Sequence, residues 1–89
     1  MKLQKYTIYS TPNCPYCRLL KNWLVDKGIA LEEKDVSVDI PARQEMVEKS
    51  YQMGVPVSII QMEDNGTTKE MVIVGFDQAK ISQLLNIDI

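Results

Sequence analysis

The chain has two cysteines, and they stand close together in the stretch Cys14-Pro15-Tyr16-Cys17. Two thiols at this spacing can be oxidised to a disulfide and reduced again, which suits them to thiol–disulfide exchange. In that chemistry one thiolate opens a disulfide of the substrate and forms a mixed disulfide with it. The second thiol, one helical turn away, is near enough to attack the mixed disulfide and release the product.

The surrounding residues predict a strand before the pair and a helix after it. The segment from Leu3 to Tyr9 contains β-branched and aromatic residues, as a buried strand does, and residues 10–13 interrupt it. Apolar residues then recur at helical spacing, and Gly28 can end this helix, which we expect to begin near Pro15 and to end near Lys27. The apolar positions are Tyr16, Leu19, Leu20, Trp23 and Leu24.

This arrangement predicts that Cys14 lies at the N-terminus of the helix, with Pro15 in its first turn, where no N–H is needed. Free N–H groups and the helix dipole at such an end favour an anion, so the Cys14 thiolate should be stabilised. Cysteines at helix N-termini titrate between about 3.5 and 7.5, against about 8.5 for a free thiol. Cys14 is therefore the expected nucleophile.

Three other uses of a cysteine pair are a structural disulfide, half of a zinc site, and two small buried apolar side chains. A bridge from Cys14 to Cys17 closes a very short loop and removes little entropy from the unfolded chain. Zinc requires about four ligands, whereas the chain has no histidine and no second cysteine pair. Redox chemistry is the interpretation that the pattern favours.

The motif Cys14-Pro15-Tyr16-Cys17 resembles the dithiol active site of glutaredoxins, which have the thioredoxin fold. Two further segments are similar to that family. Residues 54–57 (Gly-Val-Pro-Val) resemble its cis-proline loop, and residues 75–77 (Gly-Phe-Asp) resemble the turn before its last helix. The spacing of the three motifs is consistent with the family along nearly the whole chain. The Gly-Phe form of this turn is more similar to small glutaredoxin-like redoxins, including those that serve ribonucleotide reductase.

The resemblance implies a role for each of these residues. Cys14 attacks the substrate disulfide and Cys17 resolves the mixed disulfide. Val55 and a cis-bonded Pro56 shape the substrate groove, where the backbone of Val55 pairs with a bound peptide as an added strand would. Pro56 could instead merely start the third strand, where no ladder N–H is needed. The remaining predicted binding residues are Tyr16, Phe76 and Asp77. Two of these have alternatives: Tyr16 could simply pack at the helix start, and Asp77, which meets the glutamyl ammonium group of glutathione in the family, could be only a helix cap.

The sequence departs from the glutathione-binding pattern at two places. Glutaredoxins that bind glutathione usually carry a lysine where this chain has Thr11, and often an arginine where it has Gln52 and Met53. Both basic groups hold the glycyl carboxylate of glutathione, so their absence should weaken its binding. The resemblance implies no bound cofactor, with glutathione as a candidate co-substrate. The electron donor stays open between glutathione and a flavoenzyme of the thioredoxin-reductase type.

A second function within the resemblance is binding of an iron–sulfur cluster. Some glutaredoxins bridge such a cluster between two subunits through the first cysteine and glutathione. Pro15 stiffens the loop here, and a Pro-Tyr pair between the cysteines is more similar to the catalytic members. We therefore expect reduction of disulfides in proteins, ribonucleotide reductase among the candidate partners, or of mixed disulfides with glutathione.

Composition excludes several classes of function. The chain has 89 residues, enough for one domain. Its net charge of −2 gives no sign of a basic surface that would bind nucleic acid or anionic membranes. No apolar run approaches the ~18 residues of a membrane span. Residues 1–4 lead directly into the first strand, so we expect no signal peptide and a cytoplasmic location. We also expect a monomer. A cysteine pair in a reducing cytoplasm is more often catalytic than structural.

The rest of the chain predicts an α/β protein of the order β-α-β-α-β-β-α, a thioredoxin fold with a four-stranded mixed sheet flanked by helices. Residues 31–38 should form a second strand, parallel to the first, with Val36 and Val38 as its apolar positions. Asp39 should cap a second helix. The predicted apolar stripe of this helix is Ala42, Met46, Val47 and Tyr51, and its predicted wet side is Glu45, Glu48 and Lys49.

The C-terminal part predicts a hairpin followed by a helix. Two strands, residues 57–62 and 71–74, flank a turn at residues 64–67, whose loop we expect to exceed two residues. Asp77 should cap a final short helix. The residues of that helix expected to face inward are Ile81, Leu84 and Leu85.

Overall fold

The computed structural model describes residues 2–87, which form four strands and three helices. In chain order these are β1 (Lys2–Ser10), α1 (Pro15–Asp26), β2 (Glu32–Asp35), α2 (Ile40–Ser50), β3 (Val57–Asp64), β4 (Thr67–Val74) and α3 (Gln78–Leu85). The predicted order of elements is confirmed. The predicted extents of β3 and β4 were too short, because the polar residues of the hairpin continue the ladder to the turn.

The four strands form one mixed sheet in the order β2-β1-β3-β4. β1 and β2 run parallel, as predicted for two strands that a helix connects. β3 lies antiparallel to both β1 and β4. The strand that leads to Cys14 and the strand that follows Pro56 are therefore neighbours at the centre of the sheet, which brings the two motifs to the same edge.

Side chains alternate along the central strands, so each face of the sheet carries its own core. One face packs against α1 and α3, and its buried residues are Tyr6, Ile8, Leu20, Leu24, Ile60, Met62, Ile73 and Ile81. The opposite face packs against α2, and its buried residues are Tyr9, Val36, Ala42, Met46, Val57 and Ile59. Helices thus cover both faces, and Leu84 and Leu85 of α3 pack against the first core as predicted.

The second strand is shorter than predicted and ends at Asp35. The Asp35 carboxylate accepts a hydrogen bond from the Ser37 backbone N–H at 2.9 Å, which turns the chain out of the sheet. Val36 is buried as predicted, whereas Val38 is 75% exposed and its predicted burial is wrong. The pattern of apolar residues could not show this, because the turn is closed by local hydrogen bonds to Asp35, including those that the Val38 and Asp39 N–H groups donate to its carbonyl.

The second helix begins as predicted, since the Asp39 carboxylate accepts a hydrogen bond from the Ala42 N–H at 3.1 Å. Tyr51 of the predicted apolar stripe and Glu45 of the predicted wet side are placed differently from the prediction. Tyr51 is 90% exposed, because it is the C-cap residue and adopts a left-handed conformation at φ 58°. Glu45 is not simply solvated, because its carboxylate accepts a hydrogen bond from the Tyr9 hydroxyl in the sheet.

The hairpin loop is shorter than predicted. β3 ends at Asp64 and β4 begins at Thr67, so the loop has only the two residues Asn65 and Gly66. Their φ angles are 53° and 82°, the positive values that a type I′ turn requires at both central positions. The prediction of a longer loop was wrong because it counted Asp64 and Thr67 as turn residues, whereas they pair with each other.

Candidate active site at the start of the first helix

The start of α1 positions both cysteines. Cys14 is the N-cap residue, and its Sγ accepts a hydrogen bond from the Cys17 backbone N–H at 3.1 Å. Pro15 occupies the first turn, as predicted. The two cysteines form a disulfide with their Cα atoms 5.2 Å apart. The predicted placement of Cys14 at the helix N-terminus, with Cys17 inside the first turn, is therefore confirmed.

The two sulfur atoms differ in their surroundings. Cys14 is 9% exposed and Cys17 only 2%, because Cys17 faces the sheet from within the helix. When the disulfide is reduced, the N–H group that points at Cys14 Sγ would stabilise a thiolate there. Cys14 is therefore the sulfur that an external disulfide can contact, whereas Cys17 is shielded from solvent.

The loop before β3 lies beside Cys14. The peptide bond between Val55 and Pro56 is cis, as the resemblance implied. The Val55 carbonyl oxygen lies 3.9 Å from Cys14 Sγ. The Pro56 carbonyl in turn accepts a hydrogen bond from the Gly75 N–H at 2.8 Å. The three motifs, which are far apart in the sequence, therefore meet at one end of the sheet.

A shallow groove of about 280 Å³ lies at the cis-proline loop. It is lined by Tyr16, Val55, Pro56, Gly75 and Phe76. Tyr16 is 64% exposed, so it borders the groove and is not packed into the core at the helix start. The residues that line the groove are largely apolar.

Trp23 contributes to this region but was not predicted as part of it, and Gly75 was predicted only as a member of the turn motif at residues 75–77. Trp23 of α1 supports the Phe76 ring in an edge-to-face contact, with ring centroids 6.2 Å apart. Gly75 reaches φ 85° and lets the chain turn so that its N–H meets Pro56. Helical spacing identified Trp23 only as a core residue, because no local signal connects it with a turn that follows β4.

Asp77 is the N-cap of α3, where its carboxylate accepts a hydrogen bond from the Lys80 N–H at 3.1 Å. This confirms the capping role. It does not line the groove that contains Phe76. Its contact with a glutamyl ammonium group stays a prediction.

Thr11 does not line the groove that contains Phe76. It borders a second cavity of about 340 Å³, together with Pro12, Cys17, Arg18 and Lys21 among others. Arg18 donates a hydrogen bond to the Pro12 carbonyl at 3.4 Å and so braces the loop that precedes Cys14.

Beneath the site, two buried phenols anchor β1. The Tyr6 hydroxyl donates to Ser58 Oγ at 2.6 Å, and burial raises the pKa of Tyr6 to about 12 although this hydrogen bond opposes the shift. Burial and the hydrogen bond with Glu45 together raise the pKa of Tyr9 well above its usual value. The same hydrogen bond, with help from Lys34, lowers the pKa of Glu45. Both contacts tie β1 to elements that surround the site.

Within residues 2–87, no group of three or more histidine, cysteine, aspartate or glutamate side chains is arranged to hold a metal ion. In the same part of the chain, none of the helices combines the length and the apolar character that crossing a membrane requires.

A dithiol at a helix N-terminus, a cis-proline loop beside it and a mixed sheet with helices on both faces define a thiol–disulfide oxidoreductase of the thioredoxin fold. The sequence matches the family model described as Glutaredoxin over residues 6–63, and the chain belongs to the glutaredoxin family.

Relatives support this assignment. The chain is 41% identical over 78 residues to an uncharacterized glutaredoxin-like 8.6 kDa protein in the rubredoxin operon of Clostridium pasteurianum, which covers 88% of this chain and 93% of that protein. It is 30% identical to the glutaredoxin-like protein NrdH of Lactococcus lactis over 88% of this chain and 96% of the relative. Among solved structures, a variant of the thioredoxin-like protein BC3987 superposes with a TM-score of 0.78 at 33% identity, covering 96% of this chain and 99% of that one.

Proposed function

We propose that this protein reduces disulfide bonds in other proteins, with Cys14 as the nucleophile and Cys17 as the resolving thiol. The observation that carries the proposal is the position of Cys14 Sγ, which accepts the Cys17 N–H at 3.1 Å and lies 3.9 Å from the Val55 carbonyl at the edge of the groove. Nucleophile and groove are thus adjacent.

The reaction has two exchange steps. The Cys14 thiolate attacks one sulfur of the substrate disulfide, the substrate S–S bond breaks, and the departing substrate thiolate takes up a proton from water. The Cys17 thiolate then attacks Cys14 Sγ, which forms the Cys14–Cys17 disulfide and releases the second substrate thiol. Two electrons pass to the substrate, and an external dithiol or a reductase must return them.

The substrate segment would bind as an added strand. Val55 lies just before β3, and within residues 2–87 its backbone N–H has no hydrogen-bond partner. An extended peptide could pair with this N–H while its side chains contact Tyr16 and Phe76 in the groove. This supports polypeptides as the substrate class, with ribonucleotide reductase as the partner suggested by the turn at residues 75–77 and by the relatives named glutaredoxin-like protein NrdH.

For the electron donor we propose a flavoenzyme of the thioredoxin-reductase type, with glutathione as a weak co-substrate. Thr11 provides no charge for a glycyl carboxylate. Lys49 is a basic residue that could have replaced the missing lysine, but it forms a salt bridge with Glu70, with Nζ 2.7 Å from Oε1. A reducing cytoplasm, where such a dithiol stays reduced between turnovers, is the compartment that this activity fits.

The test is reduction of insulin with NADPH as the final electron source, in two parallel assays. One contains thioredoxin reductase, and the other contains glutathione with glutathione reductase. We expect turnover in the first assay, a much lower rate in the second, and no turnover for Cys14→Ser in either. Absence of insulin reduction by the wild-type protein in both assays would refute the proposed function.

A further inference from the structure

The side chain of Gln52 is hydrogen-bonded to the backbone two residues further on. Its Oε1 accepts the Gly54 N–H at 2.6 Å, and its Nε2 donates to the Gly54 carbonyl at 3.0 Å. One amide therefore satisfies both backbone groups of Gly54, as a neighbouring strand would. Gly54 immediately precedes Val55, the residue whose carbonyl lies beside Cys14 Sγ.

The amide of Gln52 is also anchored on its other side. Its Nε2 donates to Ser50 Oγ at 3.1 Å, and that hydroxyl donates to the Met46 carbonyl at 2.6 Å in the last turn of α2. Met46 is buried in the core beneath the sheet. A continuous chain of hydrogen bonds thus connects the rigid end of α2 with the backbone that enters the cis-proline loop.

The space at Gly54 fits this arrangement. A Cβ atom added there would lie 2.9 Å from Oε1 of Gln52, closer than such contacts occur in proteins. The φ angle of Gly54 is not among the positive ones, so an alanine could adopt the backbone conformation. The absent side chain leaves room for the glutamine amide.

We infer that Gln52 is a positioning residue, which holds Gly54 and Val55 in the conformation that pairs with an extended polypeptide substrate. The inference rests on the proposed function. It also assigns a specificity role, because an amide engaged with Gly54 and Ser50 is not available to bind the carboxylate of a small thiol. The site would thereby favour a polypeptide backbone over a free tripeptide.

Pre-reduced protein is mixed rapidly with increasing insulin, and formation of the Cys14–Cys17 disulfide is followed by acid quenching and thiol alkylation. This yields a half-saturating concentration and a limiting rate. Gln52→Met, which keeps the length but loses the hydrogen bonds, should raise the half-saturating insulin concentration about fivefold. The limiting rate should stay within about twofold of the wild-type value, because Cys14 itself is unaltered. The same should hold for the rate with 5,5′-dithiobis(2-nitrobenzoate), a disulfide without a peptide backbone.

Gly54→Ala provides an independent variant, because its Cβ displaces the amide while Gln52 remains. It should raise the half-saturating concentration to a similar extent, and the double variant should not exceed either single one, since both remove the same contact. Gln52→Glu keeps the acceptor for the Gly54 N–H and should recover part of the loss. Gln44→Met, the same change at an exposed position of α2, should match the wild type.

Three results would overturn the inference. These are an unchanged half-saturating concentration in Gln52→Met, equal losses with insulin and with the aromatic disulfide, or a double variant whose loss is the product of the two single losses. Thermal melts identify a variant that does not fold, in which case Gly54→Ala decides alone. A wild-type protein that fails to react with insulin would instead refute the proposed function itself.

Discussion

Removing the Tyr6 hydroxyl should destabilise the protein, and removing the Ser58 hydroxyl as well should recover most of the lost stability. The Tyr6 hydroxyl donates to Ser58 Oγ at 2.6 Å, and these residues are 1% and 0% exposed. Tyr6 lies on β1 and Ser58 on β3, two positions after Pro56, so this hydrogen bond joins the two strands that carry the halves of the site. Within the described residues neither hydroxyl has another partner, and both side chains are shielded from bulk solvent.

The expected magnitude follows from leaving one polar atom unpaired. Tyr6→Phe keeps the ring in place but leaves Ser58 Oγ buried without a partner, which costs about 1–3 kcal/mol. For a domain of this size, a loss of about 2 kcal/mol lowers the melting temperature by about 8–16 °C. Ser58→Ala should cost a similar amount, because the phenol then lacks an acceptor. The double variant buries no unpaired hydroxyl and should lose less than about 1 kcal/mol.

Urea denaturation of the wild type, the two single variants and the double variant at neutral pH measures the four free energies of unfolding. Repeating the measurement at rising pH adds a second test. Since burial raises the folded-state pKa of Tyr6 from its usual 10.0 to about 12, its contribution is complete below pH 10 and is lost as the pH rises towards 12. The advantage of the wild type over Tyr6→Phe should therefore narrow above pH 10. A double variant as unstable as the sum of the two single losses would refute the reasoning.

Iodoacetamide labelling of the reduced protein at neutral pH should modify Cys14 before Cys17, because only Cys14 caps the helix; preferential labelling of Cys17 would reverse the assigned roles. Cys17→Ser should form a stable mixed disulfide with insulin, visible by mass spectrometry, and wild-type insulin turnover by this variant would contradict the resolving role. Thr11→Lys should improve the catalytic efficiency with glutathione about tenfold, as one added ion pair would. A wild-type protein that is already saturated at low micromolar glutathione would contradict this. In Tyr9→Phe, the loss of stability should be greatest above the usual pKa of Glu45, 4.5, and should fade as the pH drops, because the lowered Glu45 pKa makes that hydrogen bond a stabilising contact only while the carboxylate is charged. A loss that is independent of pH, measured by urea denaturation, would argue against it.

The fold was largely predictable because its elements are marked locally. Apolar spacing identified α1, and the aspartates at positions 39 and 77 marked the starts of α2 and α3, since an N-cap needs only a side-chain oxygen and a nearby N–H. The errors in predicted apolar burial fell at Val38 and Tyr51, two residues beside a chain reversal. At such places burial depends on how the chain leaves the element, which the residue type does not encode.

The candidate site divides in the same way. Its chemistry was predictable from the cysteine pair, because the thiols lie within one helical turn and local structure alone sets their relation. The resemblance to glutaredoxins supplied the cis bond before Pro56, which the residues by themselves would not have indicated. The supporting contacts of Trp23 with Phe76 and of Gln52 with Gly54 were not foreseen.

The sequence by itself therefore determined that a redox-active thiol would stand at the start of α1, since strand, turn, proline and helix follow one another without a break. Only the tertiary structure decided what this thiol faces. Val55 stands 41 residues after Cys14, and the pairing of β1 with β3 brings its carbonyl to 3.9 Å from the sulfur. Contacts across a sheet depend on strand order and register, which arise when all strands pack together and are not written in any one segment.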